Sequence, residues 1–114
     1  MLAALAAAAA LALSGDTVSL RAVPAGDVRE RTIVTLTADL GTPSRLLIKR
    51  RIWLEGRSAA SQPWRRVGRC AAVPCSIDVL SRTPATVVYR ATLRDGETRV
   101  LRASRLVTVT WRPV

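Results

Sequence analysis

The chain predicts an all-β fold, an antiparallel sandwich of about seven strands in one domain. Several segments alternate apolar and polar side chains, as half-buried strands do. Thr, Val and Ile dominate those segments, which favours strands. With 49% apolar residues over 114 positions, the chain has enough apolar side chains to form a core. Because no helical periodicity separates the strands, a sandwich or barrel is favoured over a parallel sheet.

The first fourteen residues differ from the rest, since residues 2–13 contain only Ala and Leu. A helix of twelve such residues spans about 18 Å and is too short for a bilayer core of about 30 Å. We therefore predict a signal-type helix over residues 1–14, cleaved near Gly15, no transmembrane span, and a β-domain over residues 15–114. No Lys or Arg precedes the run, which leaves open a start further upstream. An Ala-rich helix packed on the domain, or a cloning artefact, is the alternative.

Turn residues separate the predicted strands. The first strand covers residues 17–23 and the second covers 32–39. The third covers 46–54 and alternates imperfectly, so a bulge is expected near Arg50, with Glu55 and Gly56 ending the strand. The others are an edge strand or arm at 64–70, strands at 75–80 and 86–94, an Asp95-Gly96 turn, and a long strand at 98–111 broken near Ala103 and Ser104.

Cys70 and Cys75 are the only cysteines, and the chain has no His. A structural zinc site needs four such ligands, so metal binding is not expected. The spacing also differs from the C-x-x-C of redox proteins. Two interpretations remain, a local disulfide and a pair of buried thiols. The disulfide is favoured, would add about 2 kcal/mol of stability, and accords with export.

No catalytic constellation is visible in the chain. The absence of His removes the usual general base. Lys49 is the sole lysine, and nothing pairs it with a particular serine. The eight acidic residues are scattered, and neither a calcium loop nor a phosphate-binding glycine motif is present. We predict a protein that is not an enzyme and uses no cofactor.

Residues 32–111 resemble the immunoglobulin-like or fibronectin-III-like modules of exported bacterial proteins. The matching segments, in order, are Thr35-Leu-Thr-Ala38 (strand B), Ile48-Lys-Arg-Arg-Ile52 (strand C), the cysteine pair, Tyr89-Arg-Ala91 (strand F) and Val107-Thr-Val-Thr-Trp111 (strand G). The resemblance implies an immunoglobulin-like sandwich in which Tyr89 hydrogen-bonds to nearby backbone. Ala38 and Ala91 stand where an immunoglobulin domain has its core disulfide. It also implies a secreted or cell-surface setting and no particular activity.

Charge placement is the one feature that suggests a binding surface. Net charge is +10, and the eighteen basic residues include seventeen arginines. In the resembled fold, strands C, F and G share a sheet, whose outer face would collect Lys49, Arg51, Trp53, Arg90 and Arg94. This face predicts a cationic platform for a polyanion such as an envelope glycopolymer or anionic lipid. The alternative is a solvated face in an arginine-rich proteome, with arginine stems covering Trp53.

The expected function is that of a secreted or cell-surface module for protein–protein contact or structural support. The expected partner is another envelope or secreted protein. Polyanion binding is the second interpretation, and nucleic acid is not expected because no series of stacking aromatics is present. Trp111 is expected to cap one end of the core, and Trp64 to lie across a sheet edge as a packing residue.

Overall fold

The computed structural model describes residues 17–41, 50–96 and 98–114. Within them the chain forms nine strands and no helix, so the all-β prediction is confirmed. The predicted signal segment, 1–14, and the first four residues of the predicted third strand, 46–49, lie outside the described residues. The strands are β1 Thr17–Val23, β2 Gly26–Arg29, β3 Val34–Gly41, β4 Arg50–Arg57, β5 Arg65–Cys70, β6 Cys75–Val79, β7 Ala85–Asp95, β8 Arg99–Ala103 and β9 Val107–Arg112.

The strands form two sheets. The smaller sheet has the order β1-β3-β6, and the larger has the order β2-β9-β7-β4-β5, with β8 paired to β7. Every pair is antiparallel except β2 with β9, which is parallel. The predicted edge strand is confirmed, since β5 ends the order of the larger sheet.

Strand β2 is the element that the alternation pattern does not predict, and it lies between the predicted first and second strands. It has four residues, and only Val28 among them is partly buried, so it shows no alternation to recognise. The predicted break in the last strand is confirmed between β8 and β9. Ser104 occupies the break: its N–H donates to the Ala91 carbonyl (2.8 Å) and its Oγ accepts from the Ala91 N–H (2.9 Å).

Strand β4 differs from its prediction at both ends. Its pairing with β7 is regular from Arg50 to Arg57, so no bulge lies at Arg50. The irregularity lies instead in the pairing with β5, where Leu54 faces Gly68 and Glu55 faces Arg66, which makes Val67 the extra residue. The strand also continues through Gly56, because the Tyr89 ring on the neighbouring strand covers that glycine.

The core lies between the two sheets in two clusters. One contains Ala38, Leu54 and Ala91, which are fully buried, together with Cys70. The other is built around Leu36, Val109 and Trp111. Trp111 is 1% exposed, and its Nε1 donates to the Thr32 carbonyl at 2.9 Å. Trp111 therefore anchors the loop before β3 as well as filling the core, as its predicted packing role requires.

Cys70 and Cys75 form a disulfide, as predicted. Cys70 ends β5 in the larger sheet, and Cys75 begins β6 in the smaller sheet. The bond is local in sequence, yet it joins the two sheets at one end of the sandwich. A structural disulfide is typical of proteins that mature in an oxidising compartment.

Candidate functional site on the outer face of the larger sheet

The outer face of β4 and β7 brings four of the five predicted residues together. Opposite pairs across the two strands are Arg51 with Arg94, Trp53 with Thr92, and Glu55 with Arg90. Side chains of opposite residues in a sheet project to the same face. Arg51, Trp53, Arg90 and Arg94 therefore share one surface. Lys49, the fifth residue, lies outside the described residues.

A buried carboxylate stands in the middle of this face. Glu55 is 3% exposed, and its Oε1 accepts hydrogen bonds from Thr92 Oγ1 (2.8 Å) and Arg94 Nη2 (3.1 Å). Arg90 Nε lies 3.4 Å from the same oxygen. Arg94 Nε also donates to Thr92 Oγ1 at 3.1 Å. The network surrounds one negative charge with two positive charges, an arrangement that tolerates burial because each charge has a partner.

Two tryptophans extend the network along the face. The guanidinium carbons of Arg57 and Arg90 lie 4.1 Å and 4.4 Å from the Trp64 ring centroid. Those of Arg94 and Arg66 lie 4.0 Å and 4.8 Å from the Trp53 ring centroid. These are cation–π distances. We call the whole set the arginine–tryptophan ladder; its members, in contact order, are Arg57, Trp64, Arg90, Glu55, Arg94, Trp53 and Arg66.

The ladder changes how the predicted platform must be understood. Arg94 is only 8% exposed, because Glu55, Thr92 and Trp53 enclose its guanidinium. Arg90 and Trp53 are half-buried. The exposed cations of the face lie on the edge strand β5, at Arg66 and Arg69, which pair with Glu55 and Trp53. Alternation along β7 predicts the face on which Arg90 and Arg94 lie. How deeply each side chain is buried on that face depends on residues of the neighbouring strands.

Glu55, Arg57, Trp64 and Arg66 are the ladder members that the predicted site lacked. The sequence predicts Glu55 at the end of a strand and Trp64 as a packing residue at a sheet edge. Strand β5 brings Trp64 and Arg66 across β4 through a pairing that residue spacing does not reveal. One sequence signal could have identified Glu55: it is the single acidic residue among eight basic residues between positions 45 and 69. A lone carboxylate in such a segment is attracted to the neighbouring positive charges.

Two polar atoms of the ladder are buried without a hydrogen bond to any described residue. They are Trp53 Nε1 and Arg90 Nε, and the latter keeps its ion-pair contact with Glu55. Buried polar atoms in folded proteins nearly always have partners. Ring stacking and charge therefore hold the Trp53 ring and the Arg90 guanidinium more than hydrogen bonds from these two atoms do.

The described residues contain no group of three or more His, Cys, Asp or Glu side chains placed to hold a metal ion. In the same part of the chain, no helix is long and apolar enough to cross a membrane. Comparisons with protein families, with curated proteins and with solved structures find no match to this chain.

Proposed function

We propose that the chain is an exported immunoglobulin-like module that is not an enzyme and acts through contact with another envelope or secreted protein, or as a structural support. The observation that carries the proposal is the strand order, β1-β3-β6 against β9-β7-β4-β5. Naming β1, β3, β4, β5, β6, β7 and β9 as strands A, B, C, C′, E, F and G gives an A-B-E sheet facing a G-F-C-C′ sheet. This order matches the grouping of B and E against C, F and G in immunoglobulin-like sandwiches.

One detail of the core supports this interpretation. Ala38 of β3 and Ala91 of β7 are fully buried in one cluster, in the positions where an immunoglobulin core disulfide would stand. Two alanines leave room for the larger side chains around them. The Tyr89 hydroxyl makes no hydrogen bond with a described residue, contrary to what the resemblance implies, and the Tyr89 ring packs on Gly56.

Export is supported by the Cys70–Cys75 disulfide and by the Ala/Leu-only run at residues 2–13. The absence of catalysis is supported by the lack of His and by the state of Glu55, the one buried carboxylate of the described chain. Three neighbouring side chains contact one oxygen of that carboxylate, and Glu55 is 3% exposed, so a substrate has little access to it.

Export and contact can be tested in one experiment. The chain is expressed with a C-terminal tag and a photo-cross-linking residue at position 51 or, as a matched position on the other sheet, at position 37. We expect an oxidised product that starts near Gly15 in the extracytoplasmic fraction and gives a protein adduct from one position. A reduced, full-length product in the cytoplasm contradicts export, and the absence of adducts from both positions contradicts contact.

The exposed arginines of β5 favour a second candidate function, polyanion binding. Arg65, Arg66 and Arg69 are exposed on one edge strand that has no acidic residue. Arginine suits phosphate and carboxylate groups because its planar guanidinium forms paired hydrogen bonds. Arg90 and Arg94 are poor test positions, since both contact Glu55 and their loss would alter stability.

Retention on immobilised heparin over a salt series tests this second candidate. We expect affinity to fall steeply with salt. Substituting both Arg66 and Arg69 with Gln should weaken retention. The control, Arg82→Gln with Arg105→Gln, removes the same charge from exposed positions elsewhere and should weaken retention less. Equal retention of the two double variants would show that net charge alone is responsible.

A further inference from the structure

A surface cavity of about 460 Å³ lies at the end of the sandwich where β4 stops and β5 begins. Its volume falls within the range of small-molecule sites, about 300–1,000 Å³. Val67, Val87 and Tyr89 form an apolar wall, and Arg57 and Arg65 line the same space. No carboxylate is among the described residues that line it.

The bulge in β5 creates this lining. Arg65 pairs with Gly56, and Gly56 pairs with Tyr89 on the other side of β4. Because Tyr89 lies on the core side of the sheet, Arg65 lies on that side too. Val67 is the extra residue of the bulge and also faces the cavity. Bulges commonly redirect a side chain in this way. Arg66, between them, turns to the opposite face and stacks on Trp53.

The two arginines that line the cavity have no negative partner among the described residues. Neither the Arg57 nor the Arg65 guanidinium makes an ion pair or hydrogen bond with a described residue. Arg57 is held against the Trp64 ring at 4.1 Å, which restricts its position. The Arg65 guanidinium beside an apolar wall, with no carboxylate among the described residues that line the cavity, favours an anion that has an apolar part.

The rest of the rim is already ordered. The Ser58 N–H donates to Gln62 Oε1 at 3.3 Å, and the Gln62 N–H donates to the Ala59 carbonyl at 3.0 Å. A rim that is already held by internal hydrogen bonds loses less conformational entropy when a ligand binds. The Tyr89 hydroxyl makes no hydrogen bond with a described residue, and burial raises the pKa of Tyr89 to about 12. It therefore remains a donor at neutral pH, and a carboxylate only accepts.

We infer that this cavity binds a carboxylate group attached to a compact apolar body, with Arg65 pairing the carboxylate and Val67, Val87 and the Tyr89 ring contacting the apolar part. Two sources share this chemistry, a small organic acid and the C-terminal carboxylate of a peptide with an apolar last residue. The site is separate from the exposed arginines of the outer face, so it stands whether or not that face binds polyanions.

Isothermal titration calorimetry on the full chain tests the inference. One arm compares 4-butylbenzoate with 4-butylbenzamide, and the other compares acetyl-Val-Leu with its C-terminal amide. We expect each carboxylate to bind at least about tenfold more tightly than its amide, as the loss of a charge-assisted hydrogen bond implies. The carboxylate with the higher affinity identifies the source. Equal affinities within both pairs, or no heat from either carboxylate at 10 mM, would overturn the proposal.

Three variants locate the site. Arg65→Gln removes one cavity cation, and Val67→Trp fills the space from an exposed position, so we expect both to weaken carboxylate binding by about tenfold or more. Arg82→Gln removes the same charge from an exposed position outside the cavity and should bind as the parent does. Binding that survives Arg65→Gln unchanged contradicts the assignment. Because Arg65 is exposed, its variant should fold even if Val67→Trp does not, and thermal unfolding of each checks this.

Discussion

Arg94 Nη2 lies 3.1 Å from Glu55 Oε1 on a sheet face where both side chains are buried. Strand β7 therefore buries one of its arginines against a carboxylate on the neighbouring strand, β4. Most arginines of the described residues are exposed, whereas at the centre of this face Glu55 offsets one of the two positive charges beside it. The predictions below concern this ion pair and the structures that surround it.

Glu55→Gln should lower the free energy of unfolding by about 3 kcal/mol. The change leaves two arginines without the charge that compensates their burial, and breaking one partner of a buried pair is costly. Urea unfolding at pH 7 measures the effect. Asp95→Asn is the control, because it removes one negative charge from an exposed turn and keeps a residue suited to that turn. Equal losses from the two variants would show that the Glu55 contacts do not stabilise the fold.

Trp64→Leu should cost about 1–2 kcal/mol, since two guanidinium groups lose a ring contact worth about 0.5–1 kcal/mol each. A double-mutant cycle with Arg57→Gln should show a coupling of about 0.5 kcal/mol or more. The same cycle with Arg82→Gln, which has no contact with Trp64, should be additive. Additivity in both cycles would mean that the Arg57 contact contributes nothing.

Gly56→Ala should destabilise the fold by about 1–3 kcal/mol, as overpacking does. A Cβ at this position would lie 2.9 Å from Tyr89 Cε1 and 3.3 Å from Val87 Cγ1. Gly41→Ala is the matched control, because its Cβ would meet Thr17 at an ordinary 3.5 Å. Thermal unfolding of the two variants should therefore differ, with Gly41→Ala close to the parent. If Gly56→Ala is as stable as Gly41→Ala, the Tyr89 ring must be able to move away.

Replacing both Cys70 and Cys75 with Ala should lower the free energy of unfolding by about 2 kcal/mol, the value expected for a loop this short. The bond joins the sheets at one end only, and the buried clusters elsewhere do not depend on it. Urea unfolding should therefore still show a single cooperative transition. A variant that is unfolded at 25 °C without denaturant would show that this connection is needed for the two sheets to associate.

Tyr89 predicts a loss of stability at alkaline pH. Burial raises its pKa to about 12, above the unfolded value of 10.0, so the folded state holds the proton more tightly. The contribution to stability is complete below pH 10 and decreases as pH rises from 10 towards 12, by at most about 1.4 kcal/mol per pH unit. Tyr89→Phe should remove this part of the pH dependence in urea unfolding.

Tyr89 is the only tyrosine, so absorbance at 295 nm follows its ionisation directly. The midpoint should lie near 12 in the native protein and near 10 in urea. A native midpoint near 10 would mean that the hydroxyl is well hydrated, and the stability of the parent and of Tyr89→Phe would then change in parallel above pH 10.

Strand positions were largely accessible from the sequence, because alternation is a local property. β1 was predicted with its observed bounds, and the break after Ala103 was recognised from composition. β2 was missed because its pairing with β9 joins residues more than eighty positions apart, and its own four residues carry no pattern. Gly56 was misjudged because its place within β4 depends on Tyr89, which belongs to a different strand.

The sequence by itself determined the all-β class and the side of its own strand on which each of Arg51, Trp53, Arg90 and Arg94 lies, and it favoured the cysteine pairing. The class and the sides follow from residue type and a spacing of two, because successive side chains of a strand point to opposite faces. Only the tertiary structure decided that Arg94 is buried on Glu55, that Trp64 stacks on Arg57 and Arg90, and that Arg65 and Val67 line one cavity. These depend on the pairing of β4 with β5 and β7, and on the extra residue in β5, which place side chains from distant parts of the chain beside one another.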